Sequence, residues 1–113
     1  MAILATLQSA LQSYNRKRFL AAFDAAAMPD FPAFRNQVGN LFDRYDSFTI
    51  TYHVLQTAME GSNGIVLADF GVDGTSIDED QPDLRRHAQL RLVLGWNGKE
   101  WKIVQLSPRA LLE

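Results

Sequence analysis

Four polar side chains in the second half of the chain could take part in catalysis or hold a metal ion: His53, Asp69, His87 and Arg91. Two histidines and a carboxylate on neighbouring strands would supply three metal ligands. Their spacing matches no recognised local motif, and the chain has no cysteine, which excludes thiolate ligands and a cysteine nucleophile. We interpret the four residues as cross-strand polar and ionic pairs, and we predict neither a metal nor a cofactor.

An acid–base reaction needs a titratable side chain inside a dry pocket, where burial moves its pKa toward the working pH. The alternation of the predicted strands turns Asp69 and both histidines away from the inside of the sheet. Asp24, on the second predicted helix, is the remaining candidate for a base if it tilts inward. This pattern favours a non-catalytic protein, although a register slip of one residue would turn Asp69 inward and favour an enzyme.

Length and composition limit the function classes further. The 113 residues, 12.7 kDa, are 47% apolar and 21% charged, which is typical of one soluble globular domain spanning residues 1–113. Eleven basic and thirteen acidic residues give a net charge of −2, so we expect no nucleic-acid partner. No apolar run approaches the roughly 20 residues of a membrane span, and no basic segment precedes Ile3 as in a signal peptide. The sequence does not decide in which compartment the protein acts, or whether a leader segment has been removed from it.

The first half of the chain has the spacing of three amphipathic helices. The first has an apolar stripe of Leu4, Leu7, Leu11 and Tyr14. Asn15 can cap a second helix, which the alanines at 25–27 would extend as far as Pro29. Asp30 can cap a third helix. Its apolar residues lie three and four positions apart at Phe31, Phe34, Val38, Leu41, Phe42 and Tyr45.

After Ser47 the apolar period becomes two, which predicts strands over residues 48–56, 65–72, 86–96 and 100–106. Asn97-Gly98 predicts a two-residue turn that places Leu94 opposite Trp101, and a three-residue loop ending at Gly64 would place Ala58 opposite Ala68. The predicted fold class is therefore α+β, with three N-terminal helices packed on a curved four-stranded antiparallel sheet that forms a cystatin-like cone.

A curved sheet over aromatic helices tends to leave an apolar cavity on its concave side, where a small apolar or amphipathic molecule could bind. The residues that we predict to line it come from the third helix, the inner strand faces and the end of the first helix. They are Tyr14, Phe42, Tyr45, Tyr52, Gln56, Phe70, Trp101 and Gln105. Ordinary core packing is the alternative for the tyrosines and the tryptophan.

The outer face of the predicted sheet carries more aliphatic side chains than a monomer normally exposes: Leu55, Met59, Ile65, Leu67, Val93, Val104 and Leu106. We therefore predict a homodimer that packs sheet to sheet across a twofold axis. The predicted interface residues are His53, Leu55, Leu67, His87, Arg91, Val93 and Val104.

Three segments resemble the nuclear transport factor 2-like, or SnoaL-like, superfamily. They are the helix end Phe19-Leu20-Ala21-Ala22-Phe23, the strand entry Tyr45-Asp46-Ser47-Phe48, and the final hairpin from Leu92 to Ile103 with its Trp-x-Ile strand. The resemblance covers most of the chain and implies a cone that often dimerises through its sheet. One departure is that only Met28-Pro29-Asp30 separates the second and third helices. Family members commonly carry a short strand or hairpin there, so this looks like a trimmed member that lacks part of the usual active-site wall.

The sequence thus predicts a non-catalytic homodimer of this superfamily with an apolar cone cavity that can bind a small molecule. The resemblance also implies an alternative, a small isomerase, dehydratase or hydrolase with Tyr14, Tyr45 or Tyr52 as hydrogen-bond donor and Asp24 as base. A pure protein-interaction module is a further alternative, which a cavity filled by the protein's own side chains would favour.

Overall fold

Three helices precede four strands and a short 3-10 helix in the computed structural model of the chain, which describes residues 2–112. The elements are α1 (Ala2–Gln12), α2 (Arg16–Ala21), α3 (Phe31–Arg44), β1 (Tyr45–Glu60), β2 (Asn63–Ser76), β3 (Leu84–Trp96), β4 (Trp101–Ser107) and the 3-10 helix η1 (Arg109–Leu112). The strands form a curved antiparallel sheet in the order β1-β2-β3-β4, with the helices packed on one face. The predicted fold class is confirmed.

The second helix is much shorter than its sequence predicts, and the prediction that it continues to Pro29 is wrong. It begins after Asn15, whose side chain accepts a hydrogen bond from the Arg18 N–H at 3.0 Å, but it ends at Ala21. Beyond that point the backbone joins the sheet: Ile103 N–H donates to the Ala22 carbonyl and Asp24 N–H donates to the Ile103 carbonyl, both at 2.9 Å. These bonds cover the outer edge of β4, an edge that would otherwise expose unpaired backbone groups.

Both hairpin predictions are wrong in their turn lengths. Glu60 lies opposite Asn63, so the first turn has two central residues, and Gly61 there has a left-handed φ of 64°. The turn between β3 and β4 is wider than predicted, because Trp96 lies opposite Trp101. The Asn97 side chain holds this wider loop by accepting hydrogen bonds from the N–H groups of Lys99 and Glu100 at 2.9 and 2.8 Å.

Three irregularities interrupt the registers of β1 and β4. In β1 the register shifts between Asp46 and Thr49 and again between Val54 and Gln56, and in β4 it shifts next to Val104. An extra residue in one strand reverses which side chains face inward beyond it. As a result, Met59 lies on the inner face opposite Gly64, and Leu106 lies on the inner face opposite Leu92. Alternation alone assigns both residues to the outer face.

The inside of the cone is filled by apolar side chains. Phenylalanines from the segment after α2, from α3 and from β1 pack against one another, with ring centroids 4.7 Å apart for Phe23 and Phe34 and 5.5 Å apart for Phe42 and Phe48. Leu111 and Leu112 of η1 are buried in the same core. Within residues 2–112 the fully buried residues include no polar or charged one. The core is therefore held by packing and the hydrophobic effect.

None of the helices in the described part of the chain combines the length and the apolar composition that crossing a membrane requires.

Candidate ligand-binding site

An apolar cavity of about 510 Å³ lies where the first turn of α1 meets the far ends of the strands, and we call it the mouth cavity. Its volume falls within the roughly 300–1,000 Å³ typical of small-molecule sites. All four strands and α1 contribute to its wall, which consists of Ala2, Ile3, Thr57, Ala58, Met59, Gly64, Ile65, Val66, Leu94 and Trp101.

The irregularity in β1 positions one wall of the mouth cavity. Because the register shifts at Leu55, Thr57 lies opposite Val66 and Met59 lies opposite Gly64, both on the inner face. The Met59 sulfur is 4.0 Å from the position that a Cβ on Gly64 would occupy, so a side chain there would reach Met59. The glycine therefore leaves room between β1 and β3.

Trp101 forms the opposite wall, and its position depends on the wide β3–β4 turn. Its ring packs edge-to-face on Trp96, with centroids 5.6 Å apart and planes at 63°. Trp101 is 41% exposed and Met59 is 64% exposed, whereas Val66 and Leu94 at the back of the cavity are buried. The mouth cavity thus opens to solvent between two large apolar side chains.

Among the described residues that line the mouth cavity, none has an ionisable side chain. Their side-chain hydrogen-bonding groups are the Thr57 hydroxyl and the Trp101 indole N–H. Such a surface can bind an apolar molecule and orient it through one or two hydrogen bonds, but it has no group that takes up or releases a proton near neutral pH.

The residues predicted to line a cavity lie in several different places. Trp101 lines the mouth cavity, whereas Phe42 and Phe70 are core residues and Tyr52 is half-buried against the core. Tyr14 is 47% exposed and its hydroxyl donates to the Phe42 carbonyl. Tyr45 is buried, and its hydroxyl accepts a hydrogen bond from Arg44 Nη2 at 3.1 Å.

The placement of the two glutamines in the cavity is wrong. Gln56 pairs with Leu67, and Gln105 pairs with Val93, so both are on the outer face. The same two irregularities that bring Met59 and Leu106 inside turn these amides outward. Gln105 Oε1 accepts a 3.4 Å hydrogen bond from Arg91 Nη1 there.

The candidate chemical residues are also outside the cone. Asp69 lies opposite His53 and Gln89, and His87 lies opposite Gly71, all on the outer face. Asp24 has a structural contact instead: its Oδ1 accepts hydrogen bonds from the N–H groups of Ala26 and Ala27, both at 3.1 Å. Across residues 2–112, no group of three or more histidine, cysteine or acidic side chains is arranged to hold a metal ion.

The predicted dimer-interface residues do share the outer face. Leu55, at the β1 irregularity, is 44% exposed, and Leu67 and Val104 are half-buried. Val93, however, is only 8% exposed. Met59 and Leu106, which were predicted on this face, lie on the inner face instead. The apolar patch is therefore smaller than the sequence predicts and is centred on Leu55 and Leu67.

The carboxylate of Asp30 has a lowered pKa, and it binds the C-terminal segment through Arg109. The Arg109 guanidinium donates hydrogen bonds to both Asp30 oxygens, one of them at 2.9 Å. Those hydrogen bonds, with a smaller contribution from the charge of Arg109, hold the pKa of Asp30 below its ordinary value of 3.8. Gln37 Nε2 donates to the Arg109 carbonyl at 2.7 Å, so α3 binds the segment at two points.

The predicted lining omitted Ile3, Thr57, Met59, Gly64 and Leu94, although alternation places Leu94 on the inner face. Both irregularities near the cavity coincide with two adjacent apolar residues, Val54-Leu55 in β1 and Ile103-Val104 in β4. Beyond each of them the inward set changes from even to odd positions or the reverse. Adjacent apolar residues also occur in β2 and β3, where the register is regular, so the pair alone does not predict an irregularity.

No protein-family profile and no curated protein matches the sequence. Two solved structures share the fold, each with a TM-score of 0.70 over 93% of this chain. One, from Novosphingobium aromaticivorans DSM, is described as a "putative aromatic ring hydroxylase"; it is 13% identical and 81% of it is covered. The other is a conserved protein from Planctomyces limnophilus DSM 3776, 8% identical and 88% covered. At these identities the likeness shows the arrangement of helices and sheet and nothing about activity.

Proposed function

We propose that this protein is a non-catalytic binding domain whose mouth cavity takes up a small apolar molecule. The observation that carries the proposal is the cavity of about 510 Å³, open between Trp101 and Met59 and without an ionisable wall residue. A largely apolar, concave site with a few hydrogen-bonding groups is the usual form of a small-molecule site.

We also propose membership of the nuclear transport factor 2-like superfamily. The order of three helices and four antiparallel strands supports it, as do the two solved structures that share the fold over 93% of the chain. The direct passage from α3 into β1 at Tyr45 supports it as well. The connection between α2 and α3 spans residues 22–30 and pairs with β4 at Ile103, so the prediction that only residues 28–30 separate these helices, as in a trimmed member, is wrong.

The positions of the titratable groups favour binding over acid–base catalysis. Asp24 is engaged in a turn, and Asp69, His53 and His87 are on the other side of the sheet from the mouth cavity. A catalytic base must come within about 3 Å of the proton that it removes, directly or through one water. No aspartate, glutamate or histidine contributes to this cavity wall.

The binding proposal can be tested with the uncharged fluorescent probe N-phenyl-1-naphthylamine. We expect its fluorescence to rise on binding to the wild-type protein, and we expect Trp101→Ala to weaken binding about tenfold because the variant loses most of one wall. Native mass spectrometry of the protein as purified would show in parallel whether it carries a bound molecule.

Ile77→Ala is the matched control, because Ile77 is also a large, exposed apolar residue, 51% exposed, but does not contribute to the mouth cavity. It should bind the probe like the wild type. Failure of the wild type to bind, or equal binding by the Trp101 variant, would rule out the mouth cavity as the site.

Two copies of the chain are proposed to associate through the outer face of the sheet. The exposed Leu55 and the half-buried Leu67 and Val104 support this, because an apolar patch of several side chains commonly marks an interface. His53, His87 and Arg91 would supply polar contacts around it.

A further inference from the structure

We infer that the mouth cavity selects uncharged ligands and rejects both carboxylates and amines with the same carbon skeleton, an inference that rests on the proposed binding function. The wall gives the reason. Its ten residues contribute no carboxylate, ammonium, guanidinium or imidazole group. A ligand must therefore satisfy its own polar groups with Thr57, Trp101, backbone atoms or water.

The exposed part of the wall determines what a charge would cost. Val66 and Leu94 are only 2% and 7% exposed, so the surface that a ligand meets comes mainly from more exposed apolar wall residues such as Met59 and Trp101. A charged group placed against that apolar surface would lose part of its hydration and find no opposite charge among the described wall residues. A hydroxyl or carbonyl, in contrast, can be satisfied by one hydrogen bond to the Thr57 hydroxyl or the Trp101 indole.

The charged residues that neighbour the wall along the chain do not give the cavity a preference for one sign of charge. The charged residues nearest the described wall residues along the chain are Glu60, after Met59, and Glu100 and Lys102, on either side of Trp101, with Lys99 before Glu100. Glu100 and Lys102 are paired at 3.3 Å, so among these four residues Glu60 and Lys99 remain as exposed charges of opposite sign. Exposed charges of opposite sign attract neither an anion nor a cation strongly, and salt screens both. The ligand class is thus an apolar molecule with one or two neutral hydrogen-bonding groups.

A displacement experiment with three ligands of equal chain length tests this selectivity. N-phenyl-1-naphthylamine bound to the wild type is titrated at pH 7.5 with 1-decanol, decanoate and decylamine, below their micelle concentrations. We expect 1-decanol to displace the probe at concentrations at least tenfold lower than either charged analogue, because only the charged ligands lose hydration without compensation.

Two variants confirm where the discrimination arises. Met59→Lys places an ammonium group in the wall at a residue that is already 64% exposed, and it should improve displacement by decanoate about tenfold relative to 1-decanol. Ile77→Lys adds the same charge outside the cavity and should leave the preference unchanged.

The possible failures are distinguishable. If the probe does not bind the wild type, the proposed function is lost together with the inference. If the probe binds but either charged analogue displaces it as well as 1-decanol, or if Met59→Lys leaves the preference unaltered, the binding function stands and the selectivity for uncharged ligands is overturned.

Discussion

At the scale of single residues, the Asp30–Arg109 pair makes stability depend on pH in acid. The hydrogen bonds from Arg109 lower the folded-state pKa of Asp30 below 3.8, the value expected in the unfolded chain. The pair therefore stabilises the fold fully above that pH, and its contribution is lost as the pH falls through the folded-state pKa.

Thermal unfolding between about pH 2 and pH 7 can measure this contribution. We expect Asp30→Asn to melt below the wild type at neutral pH. The two melting temperatures should approach each other as the pH falls below 3.8 and converge below the folded-state pKa of Asp30, where the carboxylate of the folded wild type also becomes neutral. Asp43→Asn, which changes another exposed carboxylate of α3, serves as the control. A difference that stays constant down to pH 2 would show that the ion pair is not its source.

The residues of the mouth cavity show what alternation can and cannot predict. From Phe48 to Val54 the inward residues of β1 follow the simple period, and Tyr52 among them is half-buried against the core. Beyond Leu55 the period is out of step by one, so Thr57 and Met59 replace Gln56 and Ala58 on the inside. Whether β1 is regular or irregular at Leu55 depends on its contacts with β2. The residues of β1 alone therefore do not determine it.

At the scale of elements, two glutamines attach α1 to the outer edge of β1. Gln12 Oε1 accepts a hydrogen bond from the Ile50 N–H at 3.0 Å, and Gln8 Nε2 donates to the Ile50 carbonyl at 2.8 Å. The two amides thus satisfy both backbone groups of one edge residue, as a neighbouring strand would.

Truncation of these glutamines should weaken the contact between helix and sheet. We expect Gln8→Ala and Gln12→Ala each to lower the free energy of unfolding by about 1 kcal/mol, the usual net value of one hydrogen bond. Urea unfolding followed by circular dichroism measures the change. Gln89→Ala, at an exposed position of β3, should stay close to the wild type. If all three variants unfold alike, the attachment contributes nothing to stability.

The shortened α2 shows how tertiary pairing overrides local preference. The alanines at 25–27 favour a helix, but the backbone of Ala22 and Asp24 makes hydrogen bonds with Ile103, about eighty residues further along the chain. Helix propensities of a few tenths of a kcal/mol per residue are small compared with covering an open sheet edge. Sequence periodicity within the segment contains no information about that distant partner.

At the scale of the whole molecule, the dimer proposal depends on the outer face. Sedimentation at micromolar concentration should give a species of about twice 12.7 kDa, and Leu55→Glu should give the monomer, because it places an unpaired charge in the apolar patch at its most exposed leucine. Met59→Glu changes an exposed residue of the same strand on the other face and should stay dimeric. A wild-type species of 12.7 kDa would refute the dimer.

The order of elements and the fold class could be predicted because they depend on periods of 3.6 and 2 that extend over whole segments. The mouth cavity could not be predicted in this way. Its wall joins Ile3 of α1, Thr57 of β1 and Trp101 of β4, which come together only through a strand irregularity and a widened turn. Small local departures of this kind move a site without changing the fold around it.

The N-terminal half of the chain protects both margins of the sheet. Ala22 and Asp24 bond the backbone of β4 at Ile103, and Gln8 and Gln12 bond the backbone of β1 at Ile50. A strand from another molecule would have to replace these hydrogen bonds to pair with either margin at those residues. The helical half of the chain therefore opposes edge-to-edge association at both ends of the sheet.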